Sequence, residues 1–191
     1  MKTFRKAESA RPAERVLRAA NKLFYARGIN AVGVDAIAEE AAVSKRTLYH
    51  HYPSKEALIA AYLTAQFRPI APSDAPAREQ ILALFERQER LFARPDFRGC
   101  PYVNAVAELG DPKHSAHAIA AQFKEQRRQW FKALLERLGI EDPDELATQL
   151  MILAEGAFAT ALVRGDPAIA RSARAAAETL LAAAGSDRRR Q

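Results

Sequence analysis

Apolar residues recur along this chain at the three-and-four spacing of helices, and Gly, Pro and capping residues punctuate the polar positions between them. From Pro12, the residues Val16, Ala20, Leu23 and Phe24 share one face until Gly28, where a glycine commonly closes a helix. Val34, Ile37, Ala38 and Ala41 outline a second, short helix, and Ser44 is placed to cap a third that Pro53 stops after about two turns. Ser54 caps a fourth, with Glu56 in its first turn and Ala57, Leu58, Ala61, Tyr62 and Ala65 leading to Phe67. The stretch from Arg68 to Pro76 holds three prolines and marks a boundary.

Beyond it, Ile81, Leu84, Phe85, Gln88, Leu91 and Phe92 form one face of a helix over about 77–93. A loop through Pro95 and Gly99 precedes a short helix from Cys100 to Glu108, which Gly110-Asp111-Pro112 breaks. Ile119, Phe123, Gln126, Trp130, Phe131, Leu134 and Leu138 give a long helix over about 112–138 its seam, closed by Gly139. Asp142 as N-cap, Pro143 at the first helical position and Glu145 two residues on predict the start of the next, lined by Leu146, Leu150, Leu153, Ala157, Phe158 and Ala161 up to Gly165. Asp166-Pro167 repeats that device for a last helix through Ile169, Ala173, Ala176, Leu180 and Ala184 to Gly185. Nine helices and no strand make the expected fold all-α, with a loose polar arm over residues 1–10.

Composition agrees with the pattern. Apolar residues make up 49% of the 191 residues, alanine is abundant, and strand formers are scattered. No apolar run approaches the roughly 18 residues that span a bilayer, and no apolar signal core follows the charged N-terminus, so a cytosolic protein without membrane contact is expected. The single cysteine, Cys100, excludes an internal disulfide framework and a multi-cysteine zinc site. The net charge of +6 is uneven: residues 1–58 hold 11 Lys/Arg against 6 Asp/Glu, and 59–191 hold 18 against 17. Positive charge concentrated at one end suits contact with phosphates. Arg188-Arg189-Arg190 supplies three of the later cations in what reads as a solvated tail.

The second and third helices carry the chemistry. On the third, Leu48 and Tyr52 fall on one face, while Lys45, Arg46 and Tyr49 fall on another with Thr47 and His50 beside them. Ala42-Val43-Ser44 has the length of the tight turn in a helix-turn-helix, whose second helix enters the major groove with its N-terminal residues nearest the bases. The first helix would buttress both, Val16, Leu23 and Phe24 meeting Ile37, Leu48 and Tyr52 in a small core.

Residues 34–58, VDAIAEEAAVSKRTLYHHYPSKEAL, closely resemble the N-terminal signature of the TetR family of transcriptional regulators. The resemblance implies three plus six helices: a DNA-binding domain over 1–58, a larger effector-binding and dimerisation domain over 59–191, and a fourth helix from about 54 linking them. It departs from the family pattern twice. Val32-Gly33 stands where a threonine usually starts the second helix, so a phosphate-contacting hydroxyl is lost although glycine still caps. Ala42 replaces the usual glycine of the turn, and if that position needs a positive φ the alanine is strained by roughly 1 kcal/mol.

On the matching positions, Lys45, Arg46 and Thr47 are expected at base edges, since lysine or arginine pairs with guanine and a threonine methyl touches thymine. Tyr49, His51 and Lys55 match positions that hold phosphates, Lys55 with the added pull of a helix N-terminus; His50, at a variable position, lies beside them. One such module reads only a few base pairs, so specificity calls for two. The resemblance implies a homodimer through the helices at about 143–163 and 167–184, where alanines and Gly156 permit close packing. It also implies a palindromic double-stranded operator and release of DNA when a small molecule enters the second domain and changes the spacing of the reading heads. An apolar or amphipathic effector would meet Phe85, Phe92, Cys100, Tyr102, Asn104, Glu108 and Trp130, with Phe131 and Phe158 nearby; the aromatics fit plain core packing as well, and Asn104 and Glu108 could brace the fold.

Other chemistries have thinner support. Glu108, Asp111, His114 and His117 are ligand-type residues within ten positions, but Gly110-Asp111-Pro112 interrupts them, so no metal site and no cofactor are expected. Cys100 has only Arg98 as a cation nearby in sequence to favour a redox role. No nucleophile–base–acid set or phosphate-binding glycine loop points to an enzyme. The competing class is a helical adaptor that binds proteins and reads no DNA.

Overall fold

The computed structural model describes residues 11–67 and 70–187. The expected N-terminal arm, the tail at 188–190 and the Arg68-Pro69 start of the proline-rich stretch lie outside them. Nine helices and no strand occur among the described residues: α1 (Pro12–Arg27), α2 (Val34–Glu40), α3 (Lys45–His51), α4 (Lys55–Gln66), α5 (Ala77–Phe92), α6 (Pro101–Leu109), α7 (Ser115–Arg137), α8 (Pro143–Arg164) and α9 (Ile169–Asp187).

The packing forms two compact units. One takes Met1–Arg68 with Pro101–Ala120, the other Pro69–Cys100 with Ala121–Gln191. The break in the proline-rich stretch follows the end of α4, which packs on α1, but α6 and the start of α7 as far as Ala120 also belong to the first unit.

In the first unit α1 supplies Val16, Ala19, Ala20, Leu23 and Phe24 to a core completed by Ile37, Leu48, Leu58, Ile59, Tyr62 and Leu63, with Ile29 and Val32 from the α1–α2 loop. Phe24 and Tyr62 meet edge to face, ring centroids 5.5 Å apart. Tyr52 sits at the rim rather than in the core: its hydroxyl donates to the Ala13 carbonyl at 3.2 Å, and burial raises its pKa. In the second unit α5, α8 and α9 enclose Ile81, Leu84, Phe85, Leu150, Ala154, Ala157, Ala173 and Ala177, with Phe131, Leu134 and Leu135 from α7. Alanines on α8 and α9 let the two backbones approach closely, which is where the alanine-rich composition finds its use.

The ends of α7 and α9 and the cap of α8 differ from expectation for local reasons. α7 begins at Ser115 because Asp111 forms a turn, its side chain accepting from Lys113 N at 2.9 Å, and His114 Nδ1 then accepts from Ala116 N. α9 begins at Ile169 because Asp166 accepts from Ala168 N in the same way, and it runs past Gly185, which does not take a left-handed conformation. Asp142 stands at the N-cap of α8 without a side-chain bond there; its neighbour Asp144, in the first turn, is the one engaged, by Arg128 and Lys132. By length and composition α8 would be apolar enough to cross a membrane, but Leu146, Ala147, Leu150, Ala154, Ala157 and Ala161 make one side of it core.

Candidate nucleic-acid interface

With seven residues, α3 is too short to persist alone, since isolated helices below about 12 residues are marginal. Its fully buried Leu48 anchors it against α1, and Ser44 caps it by accepting from Thr47 N at 3.0 Å. The same serine oxygen lies 2.9 Å from Thr47 Oγ1, so the threonine's rotamer is held as well. The turn before it closes α2 in a Schellman arrangement: Val43 N donates to Ala38 O and Ala42 N to Glu39 O, both at 3.0 Å. This pattern needs a left-handed residue at its fifth position, and Ala42 has φ of +51°, the one non-glycine positive φ among the described residues. Gly33 stands at the N-cap of α2, extended and with no side-chain bond, as expected from the missing hydroxyl.

Anchoring Leu48 leaves the opposite face of α3 open. Lys45, Arg46, His50 and His51 are exposed, Tyr49 is 43% exposed, and Thr47 is half-buried at the first turn. Lys45 and Arg46 thus share one solvent-facing surface with Tyr49 and the two histidines, whose rings meet edge to face at 5.1 Å. Lys45 Nζ pairs with Asp35 Oδ1 at 2.6 Å across the turn; both are well exposed, so the pair is weak and open to exchange for a phosphate or base. Lys55 is directed inward, donating to the Ile29 carbonyl at 2.7 Å and tying the start of α4 to the α1–α2 loop. Ser54 caps α4 by accepting from Ala57 N at 3.0 Å, as its position predicts.

That loop is held from a second side by a residue assigned on sequence to the effector pocket. Glu108, on α6, accepts from Asn30 N at 3.0 Å, and its carbonyl accepts from Asn30 Nδ2 at 2.6 Å. Gly28, with φ of +89°, lets the carboxylate in: a β-carbon there would stand 2.9 Å from Glu108 Oε2. Asp35 and Asn30 were missed in sequence, and no local spacing marks either partnership.

The remaining effector candidates divide between the units. Tyr102, buried, and Asn104, half-buried, lie in the first with Glu108, whereas Phe85, Phe92, Cys100 and Trp130 lie in the second. There Phe85 and Phe92 are core, Trp130 meets Phe131 edge to face, and Phe92 contacts Phe158. Cys100 Sγ accepts from Lys124 Nζ at 3.4 Å, and Lys124 also pairs with Glu155, a cation that the sequence near Cys100 does not reveal. Among the described residues no group of three His, Cys, Asp or Glu could hold a metal ion.

An exposed cationic and aromatic α3, seated by one leucine behind a tight turn, is a reading head for DNA in form, and comparison with known proteins decides the matter. The profile for bacterial regulatory proteins of the tetR family matches residues 16–62, and that for the tetracyclin repressor-like C-terminal domain matches residues 77–177. The chain belongs to the TetR family. It is thus a DNA-binding transcriptional regulator, from a family whose members bind operators as dimers, respond to small molecules and are not enzymes. The TetR-family fold is matched over most of its length by two solved structures. These are sav143 from Streptomyces avermitilis (39% identical, TM-score 0.80, covering 92% of this chain and 98% of that one) and SCO4454 from Streptomyces coelicolor (32%, 0.82, 91% and 96%). The HTH-type transcriptional regulator YjdC of Escherichia coli is 28% identical over 176 residues, 88% of this chain and 92% of that protein.

Proposed function

We propose that this TetR-family regulator is a repressor that binds a palindromic operator as a dimer and leaves it when a small apolar or amphipathic molecule occupies the second unit. The observation that carries this reading is the first turn of α3, where Lys45 and Arg46 are exposed beside a rotamer-locked Thr47. These three residues meet base edges; Tyr49 and His51 hold phosphates, His50 flanks them, and Lys55 adds charge while bracing the loop. A mycobacterial relative, KstR2, 28% identical over 134 residues, is named a transcriptional repressor, which favours repression over activation. The protein acts in the cytosol, where its DNA is.

Dimerisation uses α8 and α9. Both carry apolar or small residues outward: Ile152 and Val163 are 61% and 85% exposed, Gly156 has open space above it, and Ala159, Ala175, Ala182 and Ala183 are exposed nearby. Large aliphatics left in water along one helix face call for a partner, and a second copy supplies the two-fold symmetry that a palindrome requires.

Selection of bound duplexes from a random DNA pool tests the reading, with the protein run beside a Thr47→Ala/Tyr49→Ala double variant at two salt concentrations. An enriched palindrome, lost in the variant, is expected. Absence of enrichment, or equal retention of DNA by both proteins at low salt only, would mean that the basic unit holds phosphates without reading bases, and the adaptor reading would replace this one.

A further inference from the structure

Among the described residues two side-chain amides are buried, those of Gln80 and Gln88. Gln80 lies at the start of α5, and its amide donates to the Ser73 and Ala75 carbonyls, closing the loop before the helix. Gln88 is different. It sits in mid-helix, 7% exposed, with the core residues Leu84 and Phe85 one turn before it and Phe92 one turn after. Its Nε2 donates to the Ala154 carbonyl at 3.0 Å, an oxygen inside α8 that the helix ladder already serves. Its Oε1 is buried with no partner at all.

Exchanging the two amide atoms does not repair this, because Oε1 would then face the Ala154 carbonyl, acceptor against acceptor. A leucine would fill the position without the penalty of a stranded carbonyl, so an orphaned acceptor in hydrocarbon marks either wasted stability or a donor that arrives from outside. What surrounds it indicates the donor's carrier. One turn beyond Gln88 and Ala154, Phe92 and Phe158 meet edge to face at 5.0 Å, and Phe97 completes a triad at 4.9 Å from Phe92 and 6.1 Å from Phe158. All five residues belong to the second unit. A bare carbonyl oxygen repels a carboxylate, so the acceptor favours a neutral donor.

We propose that Gln88 is the orienting residue of the effector site: its Oε1 accepts the single hydrogen bond of a small neutral aromatic molecule bearing one O–H or N–H, while Phe92, Phe97 and Phe158 hold the ring. The proposal rests on the effector-sensing reading above and narrows it to a chemical class. Phenols substituted by an alkyl group meet it most simply. Their methyl ethers keep the shape and lose the donor, so the two form a matched pair.

The test uses the full chain with 4-tert-butylphenol and 4-tert-butylanisole, reading thermal stabilisation and the release of a selected operator duplex. Wild type is expected to be stabilised and released by the phenol at about tenfold lower concentration than by the ether, one hydrogen bond's discrimination. In Gln88→Leu and Gln88→Met, which keep the volume and remove the acceptor, phenol and ether should act alike. Equal response of wild type to both probes, no response to either, or an undiminished phenol preference in both variants would overturn the assignment. Failure of the regulator reading is distinguishable, because wild type would then select no operator before any probe is added.

Discussion

Ala42 carries a conformational penalty that glycine would not. Its φ of +51° is imposed by the Schellman turn, which places Ser44 to cap α3 and so sets where Lys45, Arg46 and Thr47 emerge. Because the residue is exposed, its methyl gains little from burial to offset the strain. Ala42→Gly is therefore expected to stabilise the protein by about 1 kcal/mol in denaturant titration, with operator affinity unchanged because the turn geometry is already that of glycine. A loss of stability would mean that the alanine holds the turn by restraining the unfolded chain. The conditional expectation drawn from sequence, strain if the position needs a positive φ, is met here by the geometry itself.

At the scale of elements, periodicity located the helices because the faces that pack are written locally: Leu23 and Phe24 on α1, Leu48 on α3, Leu146 and Leu150 on α8 all lie where their spacing puts them. Helix ends were less legible, since Asp111 and Asp166 can cap or turn and only the next few backbone amides decide. Least legible were partners far apart in sequence, Asn30 with Glu108 and Gln88 with Ala154, for which no local pattern exists. One such network joins α7 to α8. Arg128 donates to Glu125 and Asp144, and Lys132 donates to Asp144. Arg128, helped by Gln129, holds the Glu125 carboxyl at about 2 instead of 4.5, and Lys132, then Arg128, lowers that of Asp144. Both folded values lie below the unfolded ones, so the contribution is complete above about pH 5 and fades as pH falls toward 2. Comparing Glu125→Gln/Asp144→Asn with wild type, the gap in Tm should be widest at neutral pH and close on acidification. A gap that stays constant from pH 7 to pH 3 would show that these carboxylates act through packing rather than charge.

For the whole molecule, the exposed aliphatics of α8 set the expectation. In the proposed dimer, Ile152→Glu with Val163→Glu places like charges against each other across the two-fold axis. Sedimentation should then find a folded monomer, with helical content by circular dichroism unchanged and operator affinity reduced by 100-fold or more, because each half-site is bound alone. A variant that stays dimeric and keeps its affinity would move the interface elsewhere. The grip of Glu108 on Asn30, admitted by the bare α-carbon of Gly28, bears on how such proteins can be recombined. A chimera that exchanges residues 11–67 for the reader of a relative would bring a foreign α1–α2 loop to a carboxylate shaped for this one, and a side chain at the glycine position would push that carboxylate aside from Asn30. The transplantable cassette is the reader together with α6, two segments separated in the gene by the whole of α5.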